Sequence, residues 1–301
     1  MMETSLEGTT SSDIAHAMVK ARIAAGSPAM DMVLTLLVVT DDETVGDALR
    51  TAALLSREHP SRVIGIVLGD GRGAPRVDAK VRVGQNASGE SVLLRLSGPL
   101  TKHADSVVLP LLLPDSPVVA WWPHKAPANP VADSIGQLAQ RRLTDAESTD
   151  SPVRSLKATA RHYSPGDTDL SWTRLTPWRA LLAAALDQSA GKVTGGAVEF
   201  KPGNPVGTLL VAWLESRLRV PITQRRGDKE QISKVVLNMT HGDVTIERID
   251  TRSCLFSIPG SAPREVPLGA RTLAELLAED LRRLDSDDIY AATIKHLLAD
   301  A

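Results

Sequence analysis

Residues 33–39, Val-Leu-Thr-Leu-Leu-Val-Val, most narrow what this chain can fold into. Side chains that point both ways along this run are apolar or branched, which requires a strand covered on both faces, the signature of a parallel sheet flanked by helices. A helix is expected ahead of it at 13–25. Behind it, Asp41, Asp42 and Glu43 open a helix running to about Arg57, where their charges complement the N-terminal dipole, and Pro60 ends it. Strands follow at 62–68, 77–83 and 92–96, separated by glycine-rich turns at 69–73 and 84–89, then a helix at 100–113 and a strand at 117–121.

The second half repeats this order. A strand at 197–200, a helix at 205–218, strands at 220–224, 232–237, 244–249 and 254–258, and helices at 272–283 and 287–298 are expected. Between the halves, residues 123–176 are irregular, with short helices at 135–142 and 153–163, and a helix at 178–187 leads into the second half. The expected fold class is α/β: two mixed α/β domains of similar strand-helix-strands-helix order, residues 1–165 and 166–301, joined by an irregular middle segment. A length of 301 residues suits two such domains.

Composition excludes several function classes. Hydrophobic residues make up 43% and charged residues 23% of the chain, as in folded proteins rather than disordered ones. Lys and Arg number 34 against 36 Asp and Glu, so no net field favours nucleic acid or anionic lipid. The longest apolar runs, 32–39 and 107–113, fall far short of the ~20 residues that cross a bilayer, so no membrane partner is expected. The polar, acidic start does not read as a secretory signal. Cys254 is the only cysteine; it permits no internal disulfide, lies in an apolar run as a packed thiol would, and suits the cytoplasm.

No catalytic constellation stands out. Gly69-Asp-Gly-Arg-Gly73 lacks the Lys-Ser/Thr of a phosphate loop and precedes a strand, so it reads as an interstrand turn. The seven histidines include no i, i+4 pair suited to a metal, and no Gly-x-Ser-x-Gly elbow occurs. The chain is therefore read as no enzyme, with no cofactor and no metal.

Binding candidates are clearer. Trp121 and Trp122 end a strand stopped by Pro123, and adjacent strand residues face opposite ways. Either one indole projects into a cleft or interface, or both bury between the sheet and the middle segment. A second group gathers His59, Arg62, Arg141, Arg142 and Asp145 with Asp169, Trp172, Arg174, Trp178 and Arg179. Guanidinium groups beside indoles suit a partner's carboxylates or a phosphorylated metabolite, and equally suit internal ion pairs.

At these segments the sequence resembles the actinobacterial branch of the glucose-6-phosphate dehydrogenase assembly family, OpcA. The resemblance runs through Ser56-Arg-Glu-His-Pro-Ser-Arg62, His103-Ala-Asp-Ser-Val-Val108, Leu111-Leu-Leu-Pro-Asp115, Val119-Ala-Trp-Trp-Pro123 and Arg141-Arg-Leu-Thr-Asp145. It continues in Gly166-Asp-Thr-Asp-Leu170, residues 172–182 and residues 277–285, while 190–269 match mainly in element order. The resemblance implies a non-catalytic accessory protein whose partner is glucose-6-phosphate dehydrogenase, and it supplies no catalytic residues. Thioredoxin control, linked to cyanobacterial relatives, is not carried over, because a single thiol cannot form an intramolecular disulfide. An arginine-lined site for a sugar phosphate or nucleotide, built on Arg62, Arg141, Arg142, Arg174 and Arg179, is the alternative, and self-association through the two C-terminal helices is a third reading.

Overall fold

The computed structural model describes residues 2–26, 32–83 and 89–299. The chain opens with β1 (Met2–Leu6), α1 (Ser11–Ala25), β2 (Leu34–Thr40), α2 (Val45–Leu55), β3 (Ser61–Leu68), β4 (Arg76–Val83) and β5 (Gly89–Ser97). It continues through α3 (Ala104–Val108), β6 (Val118–Trp122), β7 (Arg141–Thr144), α4 (Pro152–Ala160), β8 (Asp167–Asp169), α5 (Leu170–Arg174) and α6 (Thr176–Asp187). The remainder forms β9 (Val193–Phe200), α7 (Pro205–Leu218), β10 (Ile222–Arg226), β11 (Lys234–Met239), β12 (Val244–Arg248), β13 (Ser253–Ser257), β14 (Arg264–Pro267), α8 (Leu273–Asp280) and α9 (Asp288–Ala299).

These elements form two compact units that interleave along the sequence rather than dividing once near residue 165. The first comprises Met1–Asp145, Ser164–Thr168 and Leu273–Ser286; the second comprises Ala146–Tyr163, Asp169–Thr272 and Asp287–Ala301.

The first unit carries an eight-stranded sheet in the order β1-β4-β5-β3-β2-β6-β7-β8. β5, β3, β2, β6 and β7 run parallel, and β4 and β1 extend one side antiparallel. As the apolar run at 33–39 implied, β2 is central and buried on both faces. One face packs on α1 through Ile14, Met18 and Ala21, together with Leu37, Ile64 and Leu94. The opposite face meets α2: Val38, Gly65 and Trp121 stand in register across three strands, and a Cβ on Gly65 would lie 3.0 Å from the Leu49 side chain. α8, supplied by the far end of the sequence, packs against α2.

The second unit has a six-stranded sheet in the order β10-β9-β11-β12-β13-β14, antiparallel except for the parallel pair of β10 and β9. Phe200, Val235, Ile246 and Phe256 point into a core shared with Trp178 and Leu182 of α6, Leu209 and Leu210 of α7, and Ile294 of α9. Cys254 is part of this core, and burial pushes its thiol pKa up.

Three expectations changed for identifiable reasons. The helix at 100–113 is broken into 3-10 turns at Gly98–Lys102 and Leu109–Leu111 around the short α3. Pro110 lacks an amide hydrogen and would strike the carbonyl one turn earlier in a continuous helix. The helix at 135–142 is a 3-10 turn, Gly136–Leu138, followed by the fully buried strand β7. β1, β8, β14 and α5 were not anticipated, being three to five residues long. The expected turn at 84–89 lies outside the described residues except for Gly89.

The turn at Gly136 closes over Trp122. A Cβ there would run into the Pro130 carbonyl oxygen and sit 3.4 Å from the indole, so only glycine fits without a backbone shift. Gly136→Ala is expected to destabilise the protein by about 1–3 kcal/mol through overpacking. Urea unfolding followed by tryptophan fluorescence measures it, and an unchanged midpoint would refute the close-packing account.

Candidate functional site

Both indoles at the end of β6 are core: Trp121 is 0% and Trp122 1% exposed. Of the two alternatives the sequence left open, neither indole reaches a cleft or interface and both are buried. Their side chains do point oppositely, but each face of the sheet is covered, Trp121 on the α2 side and Trp122 among Ala120, Ile135 and Ala139. The Trp121 indole nitrogen is buried with no hydrogen-bond partner among the described residues. Trp172 (2%) and Trp178 (3%) are buried as well.

The candidate arginines of the first unit, Arg62, Arg141 and Arg142, are equally internal. Arg62 on β3 donates from Nε to Glu90 Oε1 on β5 at 2.6 Å and from Nη1 to the Leu111 carbonyl at 2.7 Å. Arg22 of α1 approaches the same Glu90 oxygen at 3.9 Å. Arg141 and Arg142, neighbours on β7, point to opposite faces of the sheet. Arg141 pairs with Asp280 at the end of α8 and donates to the Asp285 carbonyl at 3.3 Å. Arg142 pairs with Asp167 and donates to the Ala139 and Pro165 carbonyls at 2.7 and 2.6 Å. Burial raises the Asp167 pKa, against the lowering influence of the Ser164 amide and of Arg142. His59, half-buried, donates from Nε2 to the Ala278 carbonyl at 3.0 Å and so fastens α8 to the loop after α2. Asp145 is buried at the end of the same stretch.

The remaining candidates belong to the second unit. Asp169 caps α5 by accepting the Ser171 amide at 2.9 Å, and its other oxygen takes the Ala146 amide at 2.9 Å. Trp172 donates its indole N–H to Asp287 at 2.8 Å, while Asp287 also caps α9 by accepting the Ile289 and Tyr290 amides at 2.9 Å each. Arg179 lies 3.8 Å over the Trp172 ring, a cation–π contact, and donates to Thr176 at 3.1 Å. Desolvation lowers the Arg179 pKa, partly offset by Asp287. Arg174 pairs with Glu147, and Trp178 faces Arg248 at 5.7 Å. The set that looked like one patch in the sequence is therefore divided between two units and built into their interiors. Glu90, Asp280 and Asp287, the acids that neutralise or orient it, escaped sequence reasoning because nothing local marks them as partners.

Open parallel sheets bind ligands outside the carboxyl ends of their strands, where the strand order reverses. Here that point lies between β2 and β6. The turn after β2 has no glycine, and Asp41 accepts the Thr44 amide at 2.9 Å and its hydroxyl at 2.6 Å. The Thr44 hydroxyl and amide hold the Asp41 carboxyl below its usual range, so a carboxylate already occupies the entrance to α2 where a phosphate would need to sit. Asp42, paired with Arg95 at 2.9 Å, adds further negative charge. A cleft of about 630 Å³ opens in the second unit where α4 and α7 begin, lined by Glu147, Asp150, Arg154, Lys201, Asn204 and Glu230. Lys201 is neutralised by Glu230, so the cleft carries mixed charge. Among the described residues no group of three or more His, Cys, Asp or Glu is placed to hold a metal, and no helix is long and apolar enough to cross a membrane.

These features define a two-sheet α/β protein whose charged candidates are structural ties. Residues 52–161 match the family described as glucose-6-phosphate dehydrogenase subunit N-terminal domain, and residues 165–294 match its C-terminal domain. The chain belongs to this family, OpcA. It is 28% identical over 199 residues to a putative OxPP cycle protein OpcA of Synechocystis sp., a match spanning 62% of this chain and 38% of that protein. The chain thus covers about two fifths of the length of the curated relative it matches. Among solved structures it is similar to KijD10, a 3-ketoreductase of Actinomadura kijaniata (12% identity, TM-score 0.49, 89% of this chain and 96% of that one). A dehydrogenase, MviM, of Clostridium difficile is also similar (5% identity, TM-score 0.44, 88% and 96%).

If Arg62 exists to neutralise Glu90, removing one charge must hurt more than removing both. Arg62→Met is expected to cost about 3–5 kcal/mol, and the double variant Arg62→Met with Glu90→Leu to recover most of it. Chemical denaturation of the three proteins measures this; equal stability of single and double variants would contradict the pairing.

Proposed function

We propose that this protein is an assembly factor or allosteric activator of glucose-6-phosphate dehydrogenase, acting by protein–protein binding in the oxidative pentose phosphate pathway and catalysing nothing itself. The observation that carries the reading is the family match of both halves, each described as part of a glucose-6-phosphate dehydrogenase subunit. The relative's designation as an OxPP cycle protein supports the same pathway. Two physical features support a non-catalytic role. The switch point of the parallel sheet is filled by the Asp41 carboxylate, which repels a pyrophosphate. The arginines that would grip a phosphorylated metabolite are engaged elsewhere: Arg62, Arg141, Arg142 and Arg174 in ion pairs, Arg179 against Trp172. The metabolite-binding alternative thereby loses its ligand set. A cytoplasmic setting accords with a lone, buried thiol.

An activator works by binding the active state of its target more tightly than the inactive one, and a tenfold shift needs about 1.4 kcal/mol of difference. Titration of this protein into its cognate dehydrogenase, with rate and mass followed together, is expected to change at least one. A flat response in both across a wide excess would defeat the proposal. Calorimetry with NADP and glucose 6-phosphate is expected to give no heat of binding, and a saturable heat with either would revive the metabolite reading.

A further inference from the structure

We propose that the outer edge of β10 is a docking strand, to which an extended, acidic segment of a partner polypeptide adds by β-pairing. The inference rests on the reading of this chain as a protein-binding factor and assigns that role a surface. Among the described residues β10 ends its sheet, with β9 as its only neighbour. The Pro221 carbonyl accepts the Gly196 amide at 3.2 Å, and the Gly227 amide donates to the Phe200 carbonyl at 3.0 Å, so the odd-numbered residues turn their peptide groups toward β9. By strand alternation, Ile222, Gln224 and Arg226 turn theirs outward. The Ile222 amide is taken by the Glu215 carboxylate at 3.2 Å. The amides and carbonyls of Gln224 and Arg226 likewise face away from β9, the strand that β10 pairs with among the described residues.

Residues 223–226 are all exposed, although their side chains alternate between the two faces of the sheet. An edge with free peptide groups is a template for another strand, and proteins that have no use for it cover or blunt it. Here the edge is lined with positive charge: Arg217 and Arg219 stand just ahead of β10, and Arg225 and Arg226 close it. All four are exposed, and none forms an ion pair with a carboxylate among the described residues. Arg219 moreover occupies a left-handed backbone position (φ 57°, ψ 38°) at the end of α7, where glycine or asparagine is the unstrained choice. Helix termination therefore does not account for an arginine there.

The charge selects the occupant. Pairing two copies edge to edge would bring arginine against arginine, which disfavours self-association by this route. An acidic strand satisfies the free peptide groups and the four guanidinium groups together.

The test uses the whole protein and its cognate glucose-6-phosphate dehydrogenase, with affinity measured by interferometry at low and high salt. Gln224→Pro removes an outward amide while leaving the β9 ladder untouched, a substitution that edge strands tolerate. Arg225→Glu with Arg226→Glu reverses the charge, and Arg225→Lys with Arg226→Lys retains it. Unchanged melting temperatures check folding. Wild-type binding is expected to weaken with salt, to fall about tenfold or more with Gln224→Pro and with the double glutamate variant, and to persist in the lysine variant. Equal binding by all variants would overturn the edge assignment while leaving the broader function intact. Loss with the glutamates but not with Gln224→Pro would reduce the site to a point-charge contact and overturn strand pairing. A wild-type protein that fails to bind the dehydrogenase at all would remove the proposed function and this inference with it.

Discussion

Two guanidinium groups side by side in the sheet of the first unit set the terms for the rest of that unit. Arg141 and Arg142 lie on β7, whose four residues are all buried, and a buried guanidinium without a partner costs several kcal/mol. Because neighbours on a strand face opposite ways, the two charges need partners on opposite sides of one sheet. Asp280 serves one from α8, 139 residues later in the chain, and Asp167 serves the other from the start of β8. Charge neutralisation thus obliges distant parts of the sequence to return to the first unit, and the interleaved composition of the two units follows from it.

The same arrangement governs where function can reside. Groups that would bind phosphate in a catalytic α/β protein are enclosed by their own carboxylates, and the entrance to α2 is capped by Asp41. Rigid interior pairs of this kind fix the positions of helices and strands and leave recognition to exposed groups. In the second unit exposed arginines and the outward peptide groups of β10 coincide along a sheet edge. On the proposed reading the protein needs a stable scaffold and a contact surface, and neither requires an assembled active centre.

Much of the architecture was legible in the chain because it is written in local patterns. The apolar run at 33–39, the helix at 205–218 with Asn204 and Pro205 at its start, and the alternating strands after it all follow from periodicity and capping. β7 was not legible. Arg141 and Arg142 read locally as the end of a helix over 135–142, and only partners far along the sequence make them a buried strand. Trp121 and Trp122 show a related limit: alternation correctly assigned them to opposite faces, but whether a face is covered depends on α2 on one side and on the turn around Gly136 on the other.

By itself, then, the sequence determined the α/β class, the central parallel strand, the order of most elements and the family, because each rests on short-range chemistry or on an ordered set of segments. Only the tertiary structure decided which charges are neutralised, which indoles are sealed and which sheet edge stays open. Those outcomes depend on solvent exclusion and on carboxylates arriving from remote positions, and neither is encoded within reach of the residues it governs.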